Sequence, residues 1–119
     1  MRDYTKLKAF EIGEAIALET CRITAQFPKE EIYDLTSQIR RAAVSVPSNI
    51  VEGCAGESQL EYKKFLEIAF RSLKELHYQI LFATRLSHIP GSNAEEFDVK
   101  LEESEKVLRA IIRSQRSVA

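Results

Sequence analysis

Apolar residues recur at three- and four-residue steps along most of this chain, and four amphipathic segments follow from that rhythm. The first covers about residues 7–27. Phe10, Ala17, Cys21 and Thr24, joined by Ile12, Ile16 and Ile23, hold one side, while Glu11, Glu14, Glu19 and Arg22 fill the other. Pro28 closes the segment, because a proline pushes the residue before it out of the helical region. The second covers about residues 34–54, with Leu35, Ile39, Ala42, Ala43, Val46, Ile50 and Cys54 on one broad face. The third, about residues 58–87, opens on Ser58-Gln59-Leu60-Glu61. In that pattern the serine caps a free N–H and the glutamate reaches back. Tyr62, Phe65, Leu66, Ala69, Leu73, Leu76, Ile80 and Ala83 then keep one face.

The fourth segment, about residues 93–115, repeats the start signal at Ser92-Asn93-Ala94-Glu95, after the breaker Pro90-Gly91. Phe97, Leu101, Ser104, Leu108 and Ile111 form its stripe, widened by Val107 and Ile112. Glu95, Glu96 and Asp98 lead and Arg109, Arg113 and Arg116 trail, an order that complements the helix dipole. The tail from Ser114 to Ala119 is expected to fray. Four such segments with short breaks predict an all-α protein: an antiparallel up-down four-helix bundle, one domain over residues 1–119.

Two stretches carry more apolar surface than a lone bundle can cover. From Ala42 to Gly56 the only charge is Glu52, in a protein where 29% of residues are charged. Val44 and Val51 lie off the main apolar face of that segment, and Gln38, Arg41, Ser45, Ser48, Asn49 and Glu52 form a third, polar stripe. A helix that is apolar on several sides needs several partners. The third segment changes in the same way in its second half, where Tyr78, Leu81 and Phe82 take over the charged side. A homo-oligomer with Val44, Val51, Tyr78, Leu81 and Phe82 in its interface is the expectation. Pro47 complicates the second helix, since it removes one backbone hydrogen bond and crowds the carbonyl of Ala43. A kink, with Ser or Asn side chains meeting the freed groups, would accommodate it. The rival is a strand through Val44, Val46 and Val51, which proline would confine to a sheet edge with no partner strand in sight.

Composition narrows the function classes. Lysine and arginine number 17 against 18 acids, a net charge of −1 that lacks the basic excess of a dedicated nucleic-acid binder. Cys21 and Cys54 form no CxxC pair and fall in apolar registers. They read as buried, reduced thiols, with an oxidised pair or a reactive thiol as the alternatives. The N-terminus lacks a signal-peptide core and no run approaches a membrane span of about 20 residues, so a cytoplasmic protein with no membrane partner is expected.

The run QFPKEEIYDLTSQIRRAAVSVPSNIVEGCAGES, followed by EYKKFLEIAFRSLKEL, resembles the four-helix-bundle family of proteins encoded in intervening sequences of 23S rRNA genes. That family also takes in the accessory protein of diversity-generating retroelements. The likeness is most specific from Phe27-Pro28 to Leu35, through Ser37–Ala43, at Ser45-Val46-Pro47, and at Asn49-Ile50 and Glu52-Gly53. It continues at Glu61, Phe65-Leu66, Ala69, Ser72-Leu73 and Glu75-Leu76. The resemblance implies a ring-like homopentamer without catalytic activity. In the retroelement branch it implies a basic surface that engages RNA or DNA and a reverse transcriptase. The chain departs from the pattern at Asp34, where a glycine is usual. It departs again at Cys54-Ala55-Gly56-Glu57, which lacks the family's aromatic residue and arginine.

Candidate chemistry is sparse. Arg40, Arg41, Lys63, Lys64, Arg71 and Lys74 are the one basic group that could face phosphates across the second and third helices. Set against that, Lys63–Glu67, Glu67–Arg71 and Arg71–Glu75 stand at i,i+4 and read equally as a solvated face held by its own ion pairs. Gln38, Asn49 and Glu52 read as structural polar groups, with Glu52 paired to Arg41 or accepting from Ser and Asn side chains; a general base at Glu52 is the weaker alternative. His77 and His88 have no ligand-spaced partners, so no metal, cofactor or catalytic residue is expected.

Overall fold

The computed structural model describes residues 2–115. Among them there are four α-helices and no strand: α1 Lys8–Thr24, α2 Leu35–Ala55, α3 Gln59–Arg85 and α4 Gly91–Ser114. Short 3-10 turns at Tyr4–Lys6 and Lys29–Glu31 precede α1 and α2. Arg116 and the rest of the tail after Gln115 lie outside the described residues.

The core is one cluster with members from all four helices, including Ile16, Ile39, Val46, Ile50, Leu66, Leu73, Leu76, Phe97, Leu101 and Leu108. Burying side chains of this kind is worth about 1.5–3 kcal/mol each, which is what holds the helices together. α2 is the helix that two others share, packing against α1 and, more extensively, α3; α4 packs chiefly on α3. Two glycines set the spacing. A Cβ on Gly53 of α2 would lie 3.1 Å from Phe65 Cβ and 3.3 Å from the Tyr62 carbonyl oxygen of α3. A Cβ on Gly13 of α1 would lie 3.3 Å from Val46 Cγ1. The backbones approach closely at both points because no side chain intervenes.

α2 runs through Pro47 as a single helix, so the strand alternative is wrong. The Asn49 amide donates to the Ser45 carbonyl at 2.8 Å and to Ser45 Oγ at 2.9 Å, two residues along from the Ala43 carbonyl that Pro47 deprives of a partner. α3 starts as expected, with Ser58 Oγ accepting from the Glu61 N–H at 3.0 Å.

Several expectations need correction. α1 ends at Thr24 rather than Phe27. The chain turns there, with the Phe27 N–H donating to the Thr24 carbonyl at 3.1 Å, and delivers Phe27 into the core before Pro28. The buried stripe of α1 is Ala9, Gly13, Ile16, Ala17, Thr20 and Thr24, which leaves Phe10 at the rim and Cys21 exposed. Threonine serves on that stripe because its hydroxyl is satisfied by its own helix: Thr20 Oγ1 donates to the Ile16 carbonyl at 2.7 Å. Cys54 is buried and reduced, and burial pushes its thiol pKa up against the pull of Arg2, which leaves it unreactive. α4 begins at Gly91 with Pro90 at its N-cap and no side-chain cap, so the Ser92–Glu95 box does not form. None of the three i,i+4 ion pairs on α3 closes; the salt bridges of the described residues lie between elements.

Candidate functional site: the outer face of the second and third helices and a charged clamp on the fourth

Ser45 Oγ and Ser72 Oγ meet at 2.8 Å where α2 and α3 lie side by side. An open groove of about 420 Å³ beside this contact is lined by Gln38, Arg41, Ala42, Ser45, Ser72, Glu75 and Gln79. On the other flank of α2, Ile32, Ser37, Arg40, Arg41, Val44 and Ser48 border a second shallow groove. α2 therefore presents a ridge with a groove on either side.

The six basic residues do not form one strip. Arg40 Nε donates to Thr24 Oγ1 of α1 at 2.8 Å, which turns it away from α3. Lys74 Nζ lies 3.3 Å from Glu105 Oε1 on α4. Lys63 is half-buried. That leaves Arg41, Lys64 and Arg71 exposed and without a carboxylate partner among the described residues; Arg41 donates to Ser37 Oγ at 2.8 Å.

The apolar set divides too. Val44, Tyr78, Leu81 and Phe82 are 49%, 62%, 45% and 43% exposed, large fractions for such side chains. Tyr78 and Phe82, one turn apart on α3, lie with ring centroids 6.2 Å apart. Ile32, Tyr33 and Leu86 add exposed apolar surface at the same end of the molecule. His88 Nε2 bonds Glu31 Oε2 there at 2.8 Å and joins the segment before α2 to the segment after α3. Val51 is elsewhere: it is half-buried against the N-terminal segment and lines a pocket with Arg2, Asp3, Tyr4, Cys54 and Ala55. Among the polar trio, Asn49 bonds Ser45 and Gln38 Nε2 donates to Asp34 Oδ1 at 3.1 Å. Glu52 is exposed and makes no bond to Arg41 or to any other described residue, so its expected pairing within the chain is absent.

The cluster that sequence reading missed joins α3 to α4. His77 Nδ1 bonds Glu105 Oε2 at 2.6 Å, and His77 Nε2 bonds Asp98 Oδ1. Lys74 completes the group from one turn earlier on α3. Glu105 is a buried acid, 8% exposed. Burial of the ring pulls the His77 pKa down, but the hydrogen bonds to Asp98 and Glu105 and the charges of both outweigh it and leave the pKa above its ordinary 6.5. The hydrogen bond from His77 holds the Asp98 carboxyl below its ordinary 3.8. With a carboxylate on each ring nitrogen, the favoured species is the imidazolium, which donates at both ends. Among the described residues both ring nitrogens are taken by carboxylates, and the cluster ties α3 to α4 as an ionic clamp. No group of three or more His, Cys, Asp or Glu side chains among the described residues could hold a metal ion. No helix among them is long and apolar enough to cross a membrane.

A four-helix protein with a polar clamp between α3 and α4 and exposed apolar side chains on α2 and the later part of α3 is the class these observations define. The model of the 23S rRNA-intervening sequence protein family matches residues 5–110, and the chain belongs to that family. A crystal structure of a protein of unknown function from the S23 ribosomal protein family, from Bacteroides thetaiotaomicron, is similar, with a TM-score of 0.81 at 22% identity. That similarity covers 88% of this chain and 95% of the other, and it shows a shared fold. No curated protein matches the chain.

Proposed function

We propose that this chain is a non-enzymatic scaffold or adapter: an antiparallel up-down bundle that assembles with copies of itself through the outer face of α2 and the later part of α3. One observation carries the reading: Val44 of α2 and Tyr78, Leu81 and Phe82 of the later part of α3 lie exposed although all four are large apolar side chains. Leaving such surface in water is unfavourable by about 25 cal/mol per Å², and a second copy is the partner always at hand. The opposed bundle is supported by the pairings of Gly53 with Tyr62 and Phe65, Ser45 with Ser72, and Gln38 with Gln79, which run in opposite directions along the two helices. A ring-like pentamer is the form the family resemblance favours.

Because Val51 is half covered by its own chain, Phe82 and Leu81 are the informative sites. Replacing both by aspartate should lower the sedimenting mass to that of one chain while far-UV circular dichroism stays helical. A double variant that keeps the wild-type mass overturns this interface.

A second reading, an accessory protein that binds nucleic acid, has its own support in Arg41, Lys64 and Arg71. These three cations are exposed and unpaired with acids. An assembly repeats them on each copy, which raises the local charge density even though the chain as a whole is near neutral. RNA or DNA, or a reverse transcriptase holding either, would be the partner.

A further inference from the structure

Gln79 stands in the buried stripe of α3 at 8% exposure, and its side-chain oxygen has no hydrogen-bond partner among the described residues. A carbonyl taken out of water is costly to leave bare, so such an atom marks a place where a donor belongs. Gln79 lines the groove between α2 and α3. One turn earlier on the same helix and in the same groove is Glu75, exposed and bonded to no described residue. The Ser45–Ser72 hydroxyl pair contributes further lone pairs beside them. Arg41, on the opposite bank, directs its guanidinium to Ser37 on its own helix, so it does not fill these acceptors. The Gln38 amide nitrogen is likewise held, by Asp34. The groove thus offers a carboxylate and a buried amide oxygen that no donor of the described residues meets, beside the Ser45–Ser72 hydroxyl pair.

We infer that this groove is a binding site for a guanidinium group, with the Glu75 carboxylate and Gln79 Oε1 as its acceptors. A guanidinium presents five N–H donors in a planar fork. It can take a carboxylate through two parallel bonds and still direct an N–H at a second acceptor one helical turn away. An ammonium is a compact point charge and spans the two acceptors less well. The volume, about 420 Å³, lies in the usual range for small-molecule sites of about 300–1,000 Å³. The guanidinium can come from a free small molecule or from an arginine side chain of a protein. The site does not depend on the proposed self-assembly.

The test is an NMR titration of the full chain with Nα-acetyl-arginine methylamide, with the lysine and glutamate analogues alongside. The arginine probe should shift the Gln79 side-chain amide and the backbone amides of Ser45 and Ser72. The lysine probe should bind more weakly and the glutamate probe should leave these signals in place. Glu75→Gln, a change at an exposed position, should weaken the arginine probe by about tenfold, the loss of one charge-assisted hydrogen bond. Gln79→Leu should weaken it similarly, whereas Gln79→Glu should tighten it.

Repeating the titration on Leu81→Asp/Phe82→Asp protein separates the two sources. Saturation in both forms points to a free ligand or to another protein's arginine. Saturation only after the copies separate points to an arginine of a second copy already in place. No shift in either form, equal affinity in Gln79→Leu, or preference for the glutamate probe overturns the site.

Discussion

The clamp between α3 and α4 supports a sharp prediction. His77→Ala removes the donor that faces both Glu105 and Asp98. The bond to Glu105 is the weightier one, because that carboxylate is buried and a charged hydrogen bond there is worth about 1.5–3 kcal/mol. The Asp98 side chain is 51% exposed, so solvent screens its bond to about 0.5 kcal/mol. The variant should lose about 2–3 kcal/mol in all, which at about 4 °C per kcal/mol for a domain of this size lowers Tm by about 10 °C. Part of that loss comes from a buried carboxylate left with Lys74 alone. Glu105→Gln in the same chain should therefore restore some of it, and a double-mutant cycle should give a coupling of about 1–2 kcal/mol between the two positions. Chemical denaturation of the four proteins measures this. If the two losses simply add, His77 and Glu105 do not act together and the clamp is refuted.

The same cluster fixes a pH dependence. His77 is raised above 6.5 in the folded state, so its contribution is complete below that pH and fades as pH rises through the folded value. Asp98 is lowered, so its contribution is complete above 3.8 and fades as pH falls through the folded value. The stability gap between wild type and His77→Ala should be widest between those limits and close toward alkaline pH in parallel denaturation curves. Gly53→Leu should cost about 3 kcal/mol or more, because its side chain must enter a contact with Phe65 and the Tyr62 carbonyl that has no room, and a normal Tm would contradict that packing. If nucleic acid is bound, Arg41→Glu with Lys64→Glu should abolish RNA or DNA binding at low salt, whereas Arg40→Glu should have the smaller effect. Equal losses at positions 40 and 41 in a gel-shift series would refute the division drawn between them.

Much of the architecture was legible in the chain because leucine, isoleucine and valine at helical spacing leave few other options. The buried faces of α2 and α3 match their apolar stripes nearly residue for residue. α1 was misread in phase for a physical reason. Its buried stripe includes Gly13 and Thr20, a glycine and a self-satisfied threonine that do not register as apolar, while the outward-facing Cys21 does. The start of α4 was misplaced because Ser92 carries a capping signal that Pro90 overrides. The clamp was invisible for another reason. Lys74 and His77 are one turn apart on α3 and Asp98 and Glu105 two turns apart on α4, and each pair alone looks like ordinary surface charge. Only the alignment of the two helices converts them into one network. The basic group divides for a related reason, since residues adjacent on a helical wheel face different neighbours: Arg40 bonds Thr24 and Lys74 meets Glu105.

The uneven sharing of contacts among the helices has a consequence for motion. α2 is gripped on two sides, and glycine contacts lock it to α1 and α3, whereas α4 meets α1 lightly and depends on α3 and on a histidine that loses its charge as pH rises. Amide exchange should therefore find two tiers: a slow trio that opens only when the whole chain unfolds, and a fourth rod that lifts away on its own. Mild alkali should hasten the second tier while leaving the first untouched.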